Sequence, residues 1–96
     1  MTEDVLAPLR SMFIERAGQD LIILRRALSA EPPGDPTLER TVHGLAGSAG
    51  LFGHAEIGAA ALALDADFAA DRPPERAGLE ALIRLLEALP GVTPGP

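Results

Sequence analysis

The sequence offers few side chains able to do covalent chemistry. Among its 96 residues there is no cysteine, every one of the eight basic residues is arginine, and only two are histidines, His43 and His54. His43 opens the run His43-Gly44-Leu45-Ala46-Gly47-Ser48-Ala49-Gly50-Leu51-Phe52-Gly53. On a helix at about 100° per residue, Val42, Leu45, Ala49 and Phe52 cluster within ~40° of the direction set by Leu38, and His43 points about 140° away, toward solvent. Ala46, Gly47 and Gly50 follow at i+3, i+4 and i+7 and share the His43 face. Each glycine inside a helix costs ~1 kcal/mol relative to alanine, and Gly44, Gly47 and Gly50 all fall within this stretch. The economical reason for bare backbone beside a projecting imidazole is access by another macromolecule. An imidazole is nucleophilic near neutral pH and, when exposed, can attack a phosphoryl group and later release it. Angle alone favours an ordinary solvated histidine, and the small-residue face brings the two readings level.

Other candidate groups carry less. Ser48 has no second histidine or acid placed to activate it. Its hydroxyl is expected to bond back to the carbonyl of Gly44. His54 follows the Gly53 break, where a solvated or capping role is expected. Glu39 and His43 are spaced i, i+4, but two ligands alone do not make a metal site. Asp65, Asp67 and Asp71 read as a solvated acidic face, with no glycine-centred loop to suggest calcium.

These residues must be positioned by helices. Proline and glycine break the chain at Glu31-Pro32-Pro33-Gly34-Asp35-Pro36, at Asp71-Arg72-Pro73-Pro74 and, more mildly, at Phe52-Gly53-His54. Between the breaks the apolar spacing is helical, and it predicts helices near 5–29, 36–52, 55–70 and 75–89. The first buries a stripe of Leu6, Leu9, Phe13, Ala17, Leu24 and Leu28, with Pro8 in a first turn or at a kink. The second buries Leu38, Val42, Leu45, Ala49 and Phe52, starting from Asp35-Pro36 and stopping at Gly53. Ile57, Ala61, Leu64 and Phe68 form the third stripe; Leu79, Leu82, Ile83, Leu86 and Leu89 form the fourth. Four amphipathic helices with short connections predict an all-α fold, an antiparallel four-helix bundle over residues 1–90, with 91–96 as a flexible tail.

Composition bounds the function classes. Fourteen acidic residues against eight arginines give a net charge of −6, and only Phe13, Phe52 and Phe68 are aromatic. That balance argues against a nucleic-acid binder. An apolar content of 47% argues against intrinsic disorder. No apolar run approaches the ~20 residues that span a bilayer. The acidic start Met1-Thr2-Glu3-Asp4 does not look like a signal peptide. A cytoplasmic location is the default expectation, with no membrane partner.

The segment around His43 resembles the signature of histidine-containing phosphotransfer (HPt) domains of bacterial phosphorelays, approximately H-x-L-K-G-S-A followed by a later glycine. His43, Leu45, Gly47, Ser48, Ala49 and Gly53 match it. Phe13, Leu21, Leu24 and Ala27-Leu28 resemble the family's first long helix, and the resemblance covers about Val5 to Leu89. It implies that His43 is the phosphoacceptor, exchanging a phosphoryl group with an Asp of a response-regulator receiver domain or serving a hybrid histidine kinase. It implies no autonomous kinase activity and no cofactor of the chain's own, the Mg²⁺ of transfer belonging to the partner receiver. One departure is Ala46, where the family usually has lysine; Arg40, at i−3 from His43, is a candidate substitute for that charge or an ordinary solvated residue. Similar domains dock their partner against the first helix, where Ile22 lies farthest off the buried stripe. Two alternatives remain open: a degenerate bundle that docks a receiver or kinase without carrying phosphate, and a dimeric bundle serving as the phosphoacceptor part of a kinase. The chain has no glycine-rich nucleotide loop, which counts against the latter.

Overall fold

The structure is a computed structural model and describes residues 5–92. Four α-helices follow in order: α1 (Ala7–Ser29), α2 (Leu38–Ser48), α3 (Ala55–Ala69) and α4 (Arg76–Glu87), with a short 3₁₀ turn, Gly50–Phe52, after α2. There is no strand among the described residues. The expected boundaries hold to within a turn, and each difference has a local cause. Pro8 lies in the first turn of α1, where its missing donor is not needed. Regular α2 starts at Leu38 rather than at 36. The Asp35 carboxylate accepts from both the backbone N–H (2.9 Å) and the hydroxyl (2.6 Å) of Thr37, closing the turn that feeds the helix. These bonds hold the Asp35 carboxyl below its ordinary range.

At its other end α2 stops at Ser48, short of the expected 52. Gly53 adopts a left-handed φ of 83°, and the His54 N–H returns to the Ala49 carbonyl at 2.8 Å, so the chain tightens and reverses into α3. After α3, Asp71 has φ 56°, and the Arg72 guanidinium clasps Asp67 at 2.9 Å before Pro73-Pro74 forces an extended entry to α4.

Each helix packs on its neighbour in sequence, and α4 closes the ring against α1. All four contacts are antiparallel. The ring of Phe13, early in α1, lies 5.4 Å from that of Phe52, just past α2. Ala49 and Gly50 meet Gly58 at one end of the α2–α3 pair, and His43 meets Asp65 farther along it. Gly78, early in α4, sits against Leu64, late in α3. Arg76 donates to the Leu28 carbonyl at 3.1 Å, and Arg25 pairs with Glu87, tying α4 to α1.

The core follows the apolar stripes. Phe13, Ala17, Leu21, Leu24 and Ala27 of α1 meet Leu38, Val42, Leu45 and Ala49, Ile57, Ala61 and Leu64, and Leu79, Leu82, Ile83 and Leu86. Leu28, Phe52, Phe68 and Leu89 pack partly buried at its edge. Two members of the expected α1 stripe are corrected: Leu6 and Leu9 are 48% and 46% exposed. The hairpin joining α2 to α3 turns back opposite Phe13, so the first turns of α1 are covered on part of their surface only, with Leu9 at the rim of a cleft shared with Phe52. At the other terminus Val92 packs against the core, so the bundle reaches two residues into the segment expected as tail. The rest of that segment, 93–96, and the acidic start, 1–4, lie outside the described residues.

Candidate functional site

His43 sits in the middle of α2 with its side chain 77% exposed, while Leu45 and Ala49 on the opposite face are buried. Helical phase produces this directly: the residues that bury α2 are those one or two turns apart on the Leu38 side, and His43 is excluded from them. Gly44, Gly47 and Gly50 are all exposed, and a Cβ added to any of them would meet nothing within 4 Å. The surface beside the imidazole is therefore bare. Ala46 is different from its expected open position: it is half-buried and packs against the core on the α3 side. Gly50 also departs from the simple helical projection, because it lies in the 3₁₀ turn where α3 passes closely at Gly58.

The residue that sequence reasoning missed is Asp65. Its Oδ2 lies 3.2 Å from Nδ1 of His43, with the Asp65 side chain only 25% exposed. The expected solvated acidic face is thus corrected. Asp65 partners the histidine, Asp67 is held by Arg72, and Asp71 occupies the left-handed turn. A hairpin register would have revealed the first of these. His43 lies ten residues before Gly53 and Asp65 eleven after His54, so two helices of equal rise folded about that turn bring them level.

The pair opens onto a cleft of about 490 Å³ between α2 and α3, lined by Pro36, Glu39, Arg40, His43, Asp65, Phe68 and Ala69. Arg40 is exposed and brings a cation to this lining, which also holds the carboxyls of Glu39 and Asp65. The geometry gives an accessible ring whose Nδ1 is engaged by a carboxylate and whose Nε2 remains available to a reacting atom.

A model of the Hpt domain family matches residues 8–91. The chain belongs to the Hpt domain family. No curated protein and no solved structure matches it. Hpt domains are histidine-containing phosphotransfer carriers of phosphorelays, and they interact with response regulators and histidine kinases. The four-helix architecture is that of the family.

The remaining candidates of this Hpt domain fall elsewhere. Ser48 donates its hydroxyl to the Gly44 carbonyl at 2.8 Å, on the α1 side of α2. His54 occupies the N-cap position of α3, but its ring makes no capping bond. Instead it stacks on Phe13 with centroids 5.2 Å apart, so the expected solvated or capping role is corrected to packing. Ile22 is half-buried on α1 and is not among the residues lining either cleft that flanks α2. The α1–α2 cleft is lined instead by Leu9, Met12, Phe13, Arg16 and Asp20 of α1 with Thr41, Gly44, Ser48 and Phe52. Within it Asp20 is buried, which pushes its carboxyl up from the ordinary range, and Arg16 at 3.3 Å partly offsets that. Among the described residues no group of three or more His, Asp or Glu side chains is placed to hold a metal ion, and no helix is long and apolar enough to cross a membrane.

Proposed function

We propose that His43 is the phosphoacceptor of this Hpt domain, and that it exchanges a phosphoryl group with the Asp of a response-regulator receiver domain. The observation that carries this reading is the exposed imidazole of His43 standing on a helix face cleared of side chains at Gly44, Gly47 and Gly50. A phosphoryl donor held in a partner's pocket must come within bonding distance of the ring, and each missing side chain removes an obstacle to that approach. The nucleophile is the ring nitrogen itself, so no activating triad is required. In this reading the chain is a carrier rather than a kinase, it holds no cofactor, and the Mg²⁺ of the transfer step belongs to the receiver. Arg40, one turn before His43 and in the same cleft, takes up part of the electrostatic role of the lysine that Ala46 replaces.

Incubation with receiver and kinase partners tests this. The protein should take up one phosphoryl group in an acid-labile, base-stable linkage, as a phosphorus–nitrogen bond requires. His43→Gln should abolish uptake, and His54→Gln should retain it, because the His54 ring is engaged with Phe13. Label that survives His43→Gln would remove the assignment and leave docking without phosphate carriage as the better reading.

A further inference from the structure

We propose that the solvent face of α3 is where two copies of this protein associate, α3 packing antiparallel on α3 of the second copy about a two-fold axis at Leu62. Ile57, Ala61 and Leu64 turn one side of α3 to the core. The opposite side carries Ala55, Ala59, Leu62, Ala66 and Ala69, all exposed, Leu62 by 60%. No polar residue interrupts that side. The charged residues of α3 lie on its flanks, Asp65 toward α2 and Glu56 toward α4, with Asp67 three turns along on the Glu56 flank. A surface helix ordinarily sets charges on its outer face, and a helix apolar all round is buried all round. The bundle covers only one side of α3.

Spacing and charge point to a second copy as the occupant. The exposed residues follow each other at four, three, four and three, the seam spacing of paired helices. The series reads alike in both directions about Leu62: Ala55 and Ala69 lie seven residues to either side, Ala59 and Ala66 three and four. A two-fold contact requires such self-complementarity. Antiparallel pairing sets Ala55 against the second copy's Ala69 and Ala59 against its Ala66, and the alanines leave room for the two Leu62 side chains at the axis. It also brings Glu56 level with the Asp67 of the second copy. There the Arg72 guanidinium is clasped on Asp67 with its side chain still 63% exposed, so it meets Glu56 with donors to spare. Each copy has a net charge of −6, which opposes association elsewhere on the surface, whereas this stripe brings no like charges together. The paired faces would cover on the order of 1,000 Å² in total, the low end of specific interfaces. The axis keeps both α2 helices, and so both His43 rings, on one side of the α3 pair.

Sedimentation velocity of the full chain, over a concentration series, tests this. Wild type should pass from monomer to dimer with a midpoint on the order of 0.1 mM, as an interface of that area gives. Leu62→Glu sets two carboxylates at the axis and should weaken association at least tenfold; Ala66→Glu, on the same stripe, should do likewise. Glu56→Gln should weaken it a few-fold. Met12→Glu, which alters an exposed apolar residue of α1 across the bundle, should leave it unchanged. Melting by circular dichroism confirms that each variant is folded. The chain has no cysteine of its own, so orientation can be read by oxidising a mixture of Ala59→Cys and Ala66→Cys chains. The mixed disulfide should exceed the two symmetric ones by several-fold. A wild type that stays monomeric to roughly ten times the expected midpoint overturns the proposal. So does association undiminished in folded Leu62→Glu or Ala66→Glu, or a predominance of symmetric disulfides, which would mean parallel helices.

Discussion

Gly47→Glu separates a surface kept bare for access from one that is merely tolerant. The position lies within α2, is exposed, and has open space where a Cβ would go. No left-handed backbone is involved, so the substitution exchanges a poor helix former for a good one. In a helix interior that gains ~0.5–1 kcal/mol, but Gly47 lies in the last turn of α2, where a carboxylate meets the negative end of the helix and loses ~0.3–1 kcal/mol, so the melting temperature should stay within a few degrees of wild type. The effect on transfer is a loss. A glutamate one turn from His43 places a negative charge ~6 Å from an incoming phosphoryl group. Coulomb repulsion there is ~0.7 kcal/mol in a water-like medium and ~2.8 kcal/mol at the effective dielectric of a protein surface covered by a partner. Transfer should therefore slow by roughly three-fold to a hundred-fold, with steric exclusion adding to it. Circular-dichroism melting and phosphotransfer from a labelled receiver measure the two effects on one sample. An intact fold with an unchanged transfer rate would refute the access argument, because both bulk and charge would then have been placed beside the ring without consequence.

Three further outcomes follow from the same structure. Ala46→Lys puts an ammonium on the α3 side of His43, its stem lying along the half-buried surface; an exposed opposite charge is worth ~0.2–1 kcal/mol, so the phosphorylated form should hydrolyse up to about five-fold more slowly, and equal or faster hydrolysis would mean Arg40 already saturates that role. Gly53→Ala forces an L-residue into φ 83° and should destabilise the fold by ~1–2 kcal/mol, read from urea midpoints, whereas Gly44→Ala, in open space, should not. Asp20 has its carboxyl raised by burial above the 3.8 of an unfolded chain, so its stabilising term is fully present below that value and is lost as pH rises through the folded value. Asp20→Asn should accordingly match wild type near pH 3 and exceed it in stability at pH 7, and an equal difference at both pH values would contradict the burial argument.

The helices and most of the core were legible because apolar spacing reports phase: every α2 stripe residue is buried or half-buried, and His43, out of phase, is open. Phase does not report where a neighbour ends. Leu6 and Leu9 lie in register with Phe13, yet they stay about half exposed, Leu9 at the rim of the α1–α2 cleft rather than inside the bundle. Nor does phase report which residue stands across a groove. Asp65 and His43 are twenty-two residues apart and meet only through the hairpin register. The end of α2 depended on Gly53, whose stopping role was visible, and on the tightening at Gly50, which was not.

The left-handed turn at Gly53 also bears on how this protein assembles itself. It joins α2 and α3 with almost no intervening chain, so His43, Asp65 and the open glycines all ride on one helical hairpin whose closure involves a short loop. Contacts this local form early and rapidly compared with those linking α1 to α4. The His43–Asp65 pair should thus be organised before the bundle is complete, and its amides should exchange with solvent as one cooperative unit together with the Ala49–Gly58 crossing. Sequence drift in α1 and α4 can then alter stability and partner choice while the spacing of ring and carboxylate stays fixed.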